Sequence, residues 1–359
     1  MINVTKTFLP PFEEYISILK RAWDKAWITN QGELARELEA KLKEYLGVEH
    51  LLFCGNGTIV LQMAIKALNL TKEIITTPFS YVATTNAILW EGCTPVFTDI
   101  DSETFCIDAD KIEAKITENT QAILATHVYG LPCNIEKIQK LADNYQLKVI
   151  YDGAHAFGSM YKNKSLLSYG DISTCSFHAT KLFHTVEGGC IISHDEEIAK
   201  QLFLYRSFGH IEDEHISMGI NAKNSEFHAA MGLAVLPQVP SIIKERKYLS
   251  EVYHQILGNH VWIPADQKEF FVHNYAYFPV VFDSEETLLR VKKKLMENQV
   301  NSRRYFYPSL NLIPQVQKSK SSCSVSEELS LRVLCLPIYP GLKKEEIEKI
   351  GSIILSELK

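Results

Sequence analysis

Three stretches of the chain carry side chains that could do chemistry together. Lys181 is the only lysine in SFHATKLFHTVEGGC (176–190), where apolar and small residues predominate. Lysine is rarely buried without a partner, and a desolvated lysine loses basicity and can attack an aldehyde as a nucleophile. A surface lysine with its stem along the protein and its ammonium in water would fit the same stretch. The other two stretches help to decide between these interpretations.

The other two stretches each follow an apolar run. CGNGT (54–58) precedes residues with helical spacing, so backbone N–H groups and the Thr58 hydroxyl would bind an anion at a helix N-terminus. An Asn-Gly pair is also common in ordinary turns. In VIYDGAHAFGS (149–159), Asp152 would either cap a helix or pair with a cation. His155 could face the same ligand or be a hydrogen-bonded core histidine.

Taken together, these groups are the parts that would hold pyridoxal phosphate. The phosphate would occupy the anion site, where the Ser176 hydroxyl could join it, and Lys181 would bond to the aldehyde. Asp152 would keep the pyridine nitrogen protonated, so that the ring withdraws electrons from the reacting centre. Each feature is common by itself. Their combination, in this order, predicts a pyridoxal phosphate site.

Such a site needs a scaffold that brings the ends of several strands together. Between residues 50 and 195, short apolar runs alternate with helical stretches such as 57–68 and 134–146. The runs predicted as strands are 50–54, 73–77, 94–100, 121–128, 147–153, 172–177 and 189–194. Apolar strands alternating with helices indicate a parallel sheet covered on both faces, and such sheets bind ligands at the carboxyl ends of their strands.

Beyond about residue 240 the pattern changes to a smaller α+β domain. Its predicted elements are helices over 240–257, 284–298 and 343–358 and a strand over 275–282. We therefore predict an N-terminal arm and a large, doubly wound, mostly parallel α/β domain over 1–239, and a small C-terminal domain over 240–359. The polar, Ser-rich stretch 317–328 is predicted to be an exposed loop.

Composition excludes several classes of protein. The chain has 359 residues, 46% of them hydrophobic and 22% charged, and a net charge of −6, which argues against a nucleic-acid partner. No window approaches eighteen consecutive apolar residues, so no membrane span is expected. The N-terminal residues lack the basic-then-apolar order of a secretory signal. Eight scattered cysteines without metal spacing indicate reduced thiols, no metal site and a cytoplasmic location.

The chain also resembles a known family over nearly its whole length, the DegT/DnrJ/EryC1/StrS nucleotide-sugar aminotransferases. The segments that carry the resemblance are ITNQGELARELEAKLKEYLGVEH (28–50), TPFSYVATTNAILWEGCTPVFTDID (77–101), THVYGLPCNIEKIQKLA (126–142), VIYDGAHAFGS, SFHATKLFHTVEGG, YRSFGH (205–210), GINAKNSEFHAAMGL (219–233) and RRYFYPSL (303–310). The resemblance implies the fold type I architecture of aspartate aminotransferase, with pyridoxal 5′-phosphate as cofactor.

The resemblance also implies roles for individual residues. Lys181 corresponds to the Schiff-base lysine and general acid–base, and Asp152 to the partner of the pyridine nitrogen. Asn221, in GINAK, corresponds to a residue that reaches the phosphate of the neighbouring subunit, which implies a homodimer with shared active sites. The further cofactor contacts implied are phosphate ligands at Gly57, Thr58 and Ser176 and a ring-stacking aromatic at Tyr81.

Two positions depart from the family pattern. The usual SGTAAL is NGTIVL here, so Asn56 replaces a serine and the helix start is bulkier. The usual glutamine of EDxAQ is His155, which could still contact the ring O3′ and would bring its own titration. These departures leave the cofactor assignment unchanged. They affect which hydrogen-bond donors surround the phosphate and the ring of the cofactor.

The implied activity is ping-pong transfer of an amino group from L-glutamate to a nucleotide-linked keto sugar. NVTKTFLPP and GINAKNSEFHAAMGL resemble family members that aminate dTDP-4-keto-6-deoxy-D-glucose at C4 for O-antigen, lipopolysaccharide and similar glycans. Amination at C3, or of a UDP-linked 4-keto sugar, is the alternative. The candidate sugar-nucleotide contacts, which could equally be core aromatics or exposed loop residues, are His210, Arg303, Arg304, Tyr305 and Tyr307.

Three other functions remain as rivals. A sugar dehydratase of the family would carry histidine in place of Lys181. A catalytically silent cofactor-binding regulator would need a DNA-binding module, for which the chain leaves no room. A hydrolytic metal enzyme could use His178, His184 and Asp152, but the spacing of the two histidines does not place them on one helix face.

Overall fold

The computed structural model describes residues 1–264, 269–316 and 322–358. In chain order, the strands are β1 (Ile2–Asn3), β2 (His50–Cys54), β3 (Glu73–Thr76), β4 (Thr94–Phe97), β5 (Thr120–Thr126), β6 (Lys148–Asp152), β7 (Met160–Tyr161), β8 (Lys164–Ser165), β9 (Ile172–Ser176), β10 (Gly189–Ser193), β11 (His210–Ile211), β12 (Glu214–His215), β13 (Phe271–Val272), β14 (Phe278–Val281), β15 (Val300–Asn301) and β16 (Val333–Leu336). The α-helices are α1 (Phe12–Trp23), α2 (Glu33–Leu46), α3 (Gly57–Ala67), α4 (Val82–Trp90), α5 (Ala109–Ile112), α6 (Ile135–Tyr145), α7 (Glu196–Arg206), α8 (Glu226–Val235), α9 (Val239–Leu257), α10 (Glu285–Glu297), α11 (Ser324–Arg332) and α12 (Lys344–Glu357).

A seven-stranded sheet with the order β2-β10-β9-β6-β5-β3-β4 forms the centre of the molecule. Its adjacent pairs are parallel except that β10 is antiparallel to both β9 and β2. The segment 177–188, which joins β9 to β10, contains no α-helix. A parallel return requires a longer crossover, so the chain turns back beside β9 instead. The predicted α/β fold with a mostly parallel sheet is confirmed.

Both faces of the sheet are buried, because alternate residues of each strand point to opposite sides. On β6, Val149 and Tyr151 belong to one hydrophobic cluster and Ile150 to another. The second cluster includes one face of α3, namely Val60, Met63, Ala64 and Ala67. Strands buried on both sides explain why the sequence reads as continuous apolar runs.

A separate core lies in the C-terminal part of the chain. It packs α9, α10 and α12 against the antiparallel pair β14–β16, with Leu249, Val291 and Ile350 among its buried residues. The N-terminal strand β1 pairs with β15, and Ile2 packs against this second core. The boundary between 239 and 240 stays a prediction; it coincides with the first residue of α9.

The prediction of an exposed loop over 317–328 is wrong for part of that stretch. Residues 317–321 lie outside the described residues, but α11 begins at Ser324 and buries Ser326. The Asp99 carboxylate accepts hydrogen bonds from the backbone amides of Val325 and Ser326, both at 3.0 Å. This cap comes from a residue distant in sequence, so local composition could not reveal the helix start.

Two further expectations concern the strand predicted over 275–282 and the absence of a membrane span. The strand predicted over 275–282 is limited to β14, because Tyr275 has a φ of 55°, outside the range of a strand. Across the described ranges, the helices are too short or too polar to cross a bilayer.

Candidate active site

The predicted cofactor-binding residues other than Asn221 meet in a cleft at the carboxyl edge of the central sheet. Asp152 is the last residue of β6, Ser176 the last residue of β9, and Gly57 follows β2 at the start of α3. Lys181 lies in the segment that joins β9 to β10. The cleft has a volume of about 360 Å³, and its polar lining includes Asn56, Thr58, Tyr81, Thr84, Thr126, Asp152, His155, Ser176, His178, Lys181, Glu187, Tyr277, Arg303 and Tyr305.

Asp152 is buried and held in one orientation. The residue is only 6% exposed. One carboxylate oxygen, Oδ2, accepts a hydrogen bond of 2.7 Å from the hydroxyl of Thr84 on α4. The other oxygen, Oδ1, accepts from the backbone amide of Ala154 at 3.0 Å. The arrangement therefore presents a fixed negative group at the floor of the cleft.

The Lys181 amine is half-buried and points toward Tyr277. Its Nζ donates a hydrogen bond of 3.3 Å to the Tyr277 hydroxyl. Burial lowers the pKa of Lys181, but the Tyr277 hydroxyl and the Asp152 carboxylate raise it more, so the net pKa lies above its ordinary value. The expectation of reduced basicity is wrong for the chain by itself. The two nearby groups outweigh the desolvation that the sequence indicated.

The start of α3 forms a tight turn against the end of β9. A Cβ on Gly57 would lie 2.7 Å from Cβ and 3.0 Å from Oγ of Ser176, so only glycine permits this approach. The Asn56 side chain caps the helix by accepting from the amides of Thr58 and Ile59, at 3.0 and 2.8 Å. The Thr58 amide, one of the expected anion donors, is thus hydrogen-bonded to Asn56, the residue that departs from the family pattern.

His155 is a buried, neutral histidine. Its Nδ1 accepts a hydrogen bond from the Tyr129 amide at 3.2 Å, and its ring is parallel to that of Phe306, with centroids 5.7 Å apart. Burial lowers the pKa of His155 well below its ordinary value, and the nearby Lys181 ammonium lowers it further. The titration expected of His155 is therefore shifted to lower pH. Because Nδ1 is an acceptor, Nε2 carries the proton and acts as a donor.

The donors and acceptors around the cleft fit pyridoxal phosphate. The start of α3 and the Ser176 hydroxyl suit a phosphate, and Lys181 and Asp152 suit an aldehyde and a pyridine nitrogen, respectively. The buried hydroxyl of Thr126, at the end of β5, also lines the cleft and has no hydrogen-bond partner in the described part of the chain. Such an orphaned polar group is consistent with a ligand that completes the site.

The structure places the other predicted site residues in different positions. Arg303 and Tyr305 line the cleft, with the guanidinium 5.7 Å from the ring centroid. Tyr81 lies at the start of α4 on the cleft wall and is 63% exposed. His210, on the hairpin β11–β12, and Asn221 are outside the cleft of their own chain.

Arg304 and Tyr307 are turned away from the cleft. The Arg304 guanidinium donates to the Glu285 carboxylate at 2.8 Å and to the carbonyls of Ser330 and Leu331, both at 3.1 Å. It also lies over the Tyr307 ring, 3.5 Å from its centroid. These contacts join Arg304 to α10 and α11. One of its terminal nitrogens makes all three of these hydrogen bonds, and Arg304 does not line the cleft, so it is not placed to bind a diphosphate there.

Sequence reasoning missed three residues of the site. Tyr277 contacts Lys181, Thr84 holds Asp152, and Thr126 lines the cleft. Both threonines lie within the quoted family segments, but they read as ordinary helix or strand positions. Tyr277 read as part of a buried strand. Its place immediately before β14 gave no indication that its hydroxyl reaches a lysine far away in sequence.

The metal-site alternative is not supported by the histidines themselves. His184 is fully buried, and its two ring nitrogens are hydrogen-bonded to the Phe8 carbonyl at 2.6 Å and the Val186 amide at 3.2 Å. His178 lies in the cleft and contacts the Glu187 carboxylate at 3.5 Å. The two histidines therefore do not converge on one ion with Asp152.

Comparison with known proteins places this cleft in a family. A model of the DegT/DnrJ/EryC1/StrS aminotransferase family matches residues 12–355. The chain belongs to this family. Members are pyridoxal phosphate-dependent aminotransferases, and the protein is a transaminase that uses this cofactor. The predictions of family, cofactor and reaction class are confirmed, while the roles of individual site residues stay predictions.

Similar proteins of this family match over nearly their whole length. The dTDP-4-amino-4,6-dideoxy-D-glucose transaminase of Escherichia coli is 39% identical, with 99% of each chain covered. The Shigella dysenteriae transaminase of the same name is 40% identical, with 98% of each covered. The solved structure of DesI in the presence of its TDP-sugar product has a TM-score of 0.94 and 31% identity, covering 100% of this chain and 93% of that one.

Proposed function

We propose that the protein transfers an amino group from L-glutamate to C4 of dTDP-4-keto-6-deoxy-D-glucose. The product is dTDP-4-amino-4,6-dideoxy-D-glucose. The observation that carries this proposal is the similarity, along the whole chain, to two transaminases named for that product. The cleft supports it with an amine, a buried carboxylate and an anion-binding turn arranged around one space. Reaction at C3, or with a UDP-linked sugar, is the alternative.

The residues of the chain have separate tasks in this reaction. When bound, pyridoxal phosphate supplies an electron sink for the electron pair left on the donor's α-carbon. Asp152, fixed by Thr84, holds a proton on the pyridine nitrogen. The Gly57 turn and Ser176 bind the phosphate and so orient the ring. Lys181 Nζ would take the proton from the donor's α-carbon and return it at the cofactor's C4′, and the reverse transfer would serve the sugar.

Arg303 is the residue best placed to meet the nucleotide diphosphate. Its side chain is exposed at the cleft wall and lies beside Tyr305. A guanidinium binds phosphate oxygens in pairs, and a local cation is needed because the net charge of −6 repels a dianionic linker weakly. We therefore assign the diphosphate contact to Arg303 and withdraw Arg304 and Tyr307 from the set.

We propose further that the enzyme is a homodimer in which each subunit completes the site of the other. Asn221 lies outside the cleft of its own chain, on the segment that follows the hairpin β11–β12. Large apolar side chains in this region are exposed, namely Phe208, Ile211, Ile216, Met218 and Ile220. A patch of this kind supports a protein–protein interface. In a two-fold dimer the same patch would serve both subunits.

Mixing two inactive variants tests the shared site. Lys181→Ala and Asn221→Ala chains should each be inactive, and equilibrated mixtures should regain roughly a quarter of wild-type activity. Random pairing makes about half of the dimers mixed, and each mixed dimer has one complete site. Activity is measured by glutamate-dependent amination. A mixture that stays at the activity of its parents, although subunit exchange is shown by mass, contradicts the shared-site geometry.

A panel of sugar nucleotides tests the proposed substrate. With glutamate as donor, the enzyme is offered dTDP-4-keto-6-deoxyglucose, its 3-keto isomer and UDP-linked 4-keto sugars, and the amino position is read by NMR. We expect amination at C4 of the dTDP sugar with the largest kcat/KM. Amination at C3, or preference for a UDP sugar, would contradict the proposed substrate. The assignment of the protein as a transaminase would still hold. Failure with every sugar, alongside conversion of glutamate, would indicate a small keto acid or aldehyde as acceptor.

The place of this reaction in the cell is also part of the proposal. All eight cysteines are buried, which is common for reduced thiols. This supports a cytoplasmic enzyme that supplies an amino sugar for O-antigen, lipopolysaccharide or a similar glycan.

A further inference from the structure

We propose that Tyr277 is a positioning residue that holds the free amine of Lys181 where it can move protons in the cleft. The inference rests on the transaminase activity and deepens it, because it assigns a task to a residue outside the family motifs quoted above. Two observations support it: Tyr277 contacts Lys181, and buried side chains hold the backbone just before Tyr277.

The contact between Tyr277 and Lys181 is both polar and apolar. The Tyr277 hydroxyl accepts from Lys181 Nζ at 3.3 Å, and the same Nζ lies 5.9 Å from the centre of the tyrosine ring. The ring packs against His155, with centroids 4.6 Å apart, and meets Tyr305 edge-on at 5.9 Å. Tyr277 therefore forms the side of the cleft toward which the lysine stem points.

Two buried polar side chains fix the backbone just before Tyr277. Asn274 is fully buried, donates to the carbonyls of His155 and Phe157 at 2.7 and 2.9 Å, and accepts from the Ala276 amide at 3.0 Å. Arg246 of α9 is also buried and donates to the Ala276 carbonyl at 3.0 Å. These bonds tie the segment to the floor of the site, so the position of the hydroxyl relative to Lys181 is set by rigid groups.

The other groups that face Lys181 are engaged elsewhere. Asp152 accepts from Thr84 and Ala154, and Nδ1 of His155 accepts from a backbone amide. The Cys175 thiol donates to the Gly153 carbonyl at 3.1 Å, and burial raises its pKa to about 12, so it stays protonated. Tyr277 is thus the side chain that hydrogen-bonds to the amine within the described ranges.

The reaction explains why such a partner is useful. Whenever the amine of Lys181 is not bonded to the cofactor, it sits on a flexible four-carbon stem. To act as base and acid it must stay within reach of the donor's α-carbon, and loss of position by about an ångström is costly. A hydroxyl can accept from the ammonium and donate to the neutral amine. Tyr277 can therefore hold the amine in both protonation states.

The first test uses the full-length apoprotein and does not depend on turnover. Lys181 is acetylated with acetic anhydride at a series of pH values, and its labelling is measured by peptide mass spectrometry. Tyr277→Phe removes an acceptor from the ammonium and leaves Asp152 in place. The labelling midpoint should fall, with labelling at pH 8 about tenfold faster than in the wild type. An unchanged or higher midpoint would overturn the proposal.

The second test follows the glutamate half-reaction by absorbance in single turnovers of the holoenzyme. Tyr277→Phe should slow it by about ten- to a hundredfold and raise the isotope effect with α-deuterated glutamate, because proton transfer becomes more rate-limiting. Glutamate binding should change little. An isotope effect equal to that of the wild type contradicts a role in proton transfer.

Tyr253→Phe is the matched control. It removes a buried hydroxyl that donates to the Pro337 carbonyl at 2.9 Å in the second core. Its thermal stability should fall about as much as that of Tyr277→Phe, while the labelling midpoint and isotope effect stay at wild-type values. If both variants shift alike, Tyr277 acts through stability alone and the proposal fails. If the wild-type enzyme shows no half-reaction with glutamate, the proposed amino donor is wrong. The labelling of Lys181 in the apoprotein would then still test the proposal for Tyr277.

Discussion

Lys181→Ala is expected to lose transamination by on the order of ten-thousandfold or more, the largest effect of any single substitution in the chain. The substitution removes both the group that bonds to the aldehyde and the amine that moves the proton. The phosphate turn at Gly57 and the Asp152 carboxylate lie on other elements. The protein should therefore fold and still bind cofactor through those groups.

Activity with glutamate and the keto sugar, measured beside cofactor content, tests this expectation. Lys200→Ala is the control, because Lys200 is an exposed lysine on α7 that pairs with Glu196 and Glu197. It should retain wild-type activity. If Lys181→Ala keeps more than about a hundredth of the wild-type rate, another base serves the reaction and the assignment of Lys181 is wrong.

Asp152→Asn is expected to cost on the order of a thousandfold in rate while leaving the cofactor bound. An amide of similar shape keeps the contact with Thr84 but carries no charge, so the protonated pyridine nitrogen loses its partner. Removing one member of a buried, charge-assisted pair costs several kcal/mol, here about 4 kcal/mol in the barrier. The rate of the glutamate half-reaction measures this loss directly.

Asp171→Asn is the matched control for this variant. Asp171 also contacts β6, at the other end of the strand, where it pairs with Lys148 at 3.0 Å and accepts from the Val149 amide at 2.8 Å. Its loss should affect stability and leave the rate unchanged. A near-normal rate in Asp152→Asn would show that this carboxylate does not hold the proton on the pyridine nitrogen.

Most of the central sheet could be predicted from the sequence. Strands buried on both faces are continuous apolar runs, and the predicted runs fall within a few residues of the observed strands. The direction of β10 was not resolved by this pattern, because it depends on the connection 177–188 and not on the strand itself. The start of α11 was missed because Asp99, far away in sequence, caps it.

The parts of the site that lie at the ends of strands could be predicted from the sequence. Asp152, Ser176 and the Gly57 turn follow apolar runs, and parallel strands bring those ends to one edge. Tyr277 was not predictable, because its contact with Lys181 depends on how Asn274 places a distant segment. Nor does the sequence distinguish the positions of two adjacent arginines. Arg303 lines the cleft beside Tyr305, whereas Arg304 pairs with Glu285.

Chemical reduction identifies the lysine that bonds to pyridoxal phosphate, which we expect to be Lys181. The purified holoenzyme should be yellow, and sodium borohydride should fix the cofactor irreversibly to the protein. After proteolysis, mass spectrometry should find the added pyridoxyl group on the peptide that contains Lys181. A label on another lysine, or no label in protein that contains the cofactor, would contradict the account.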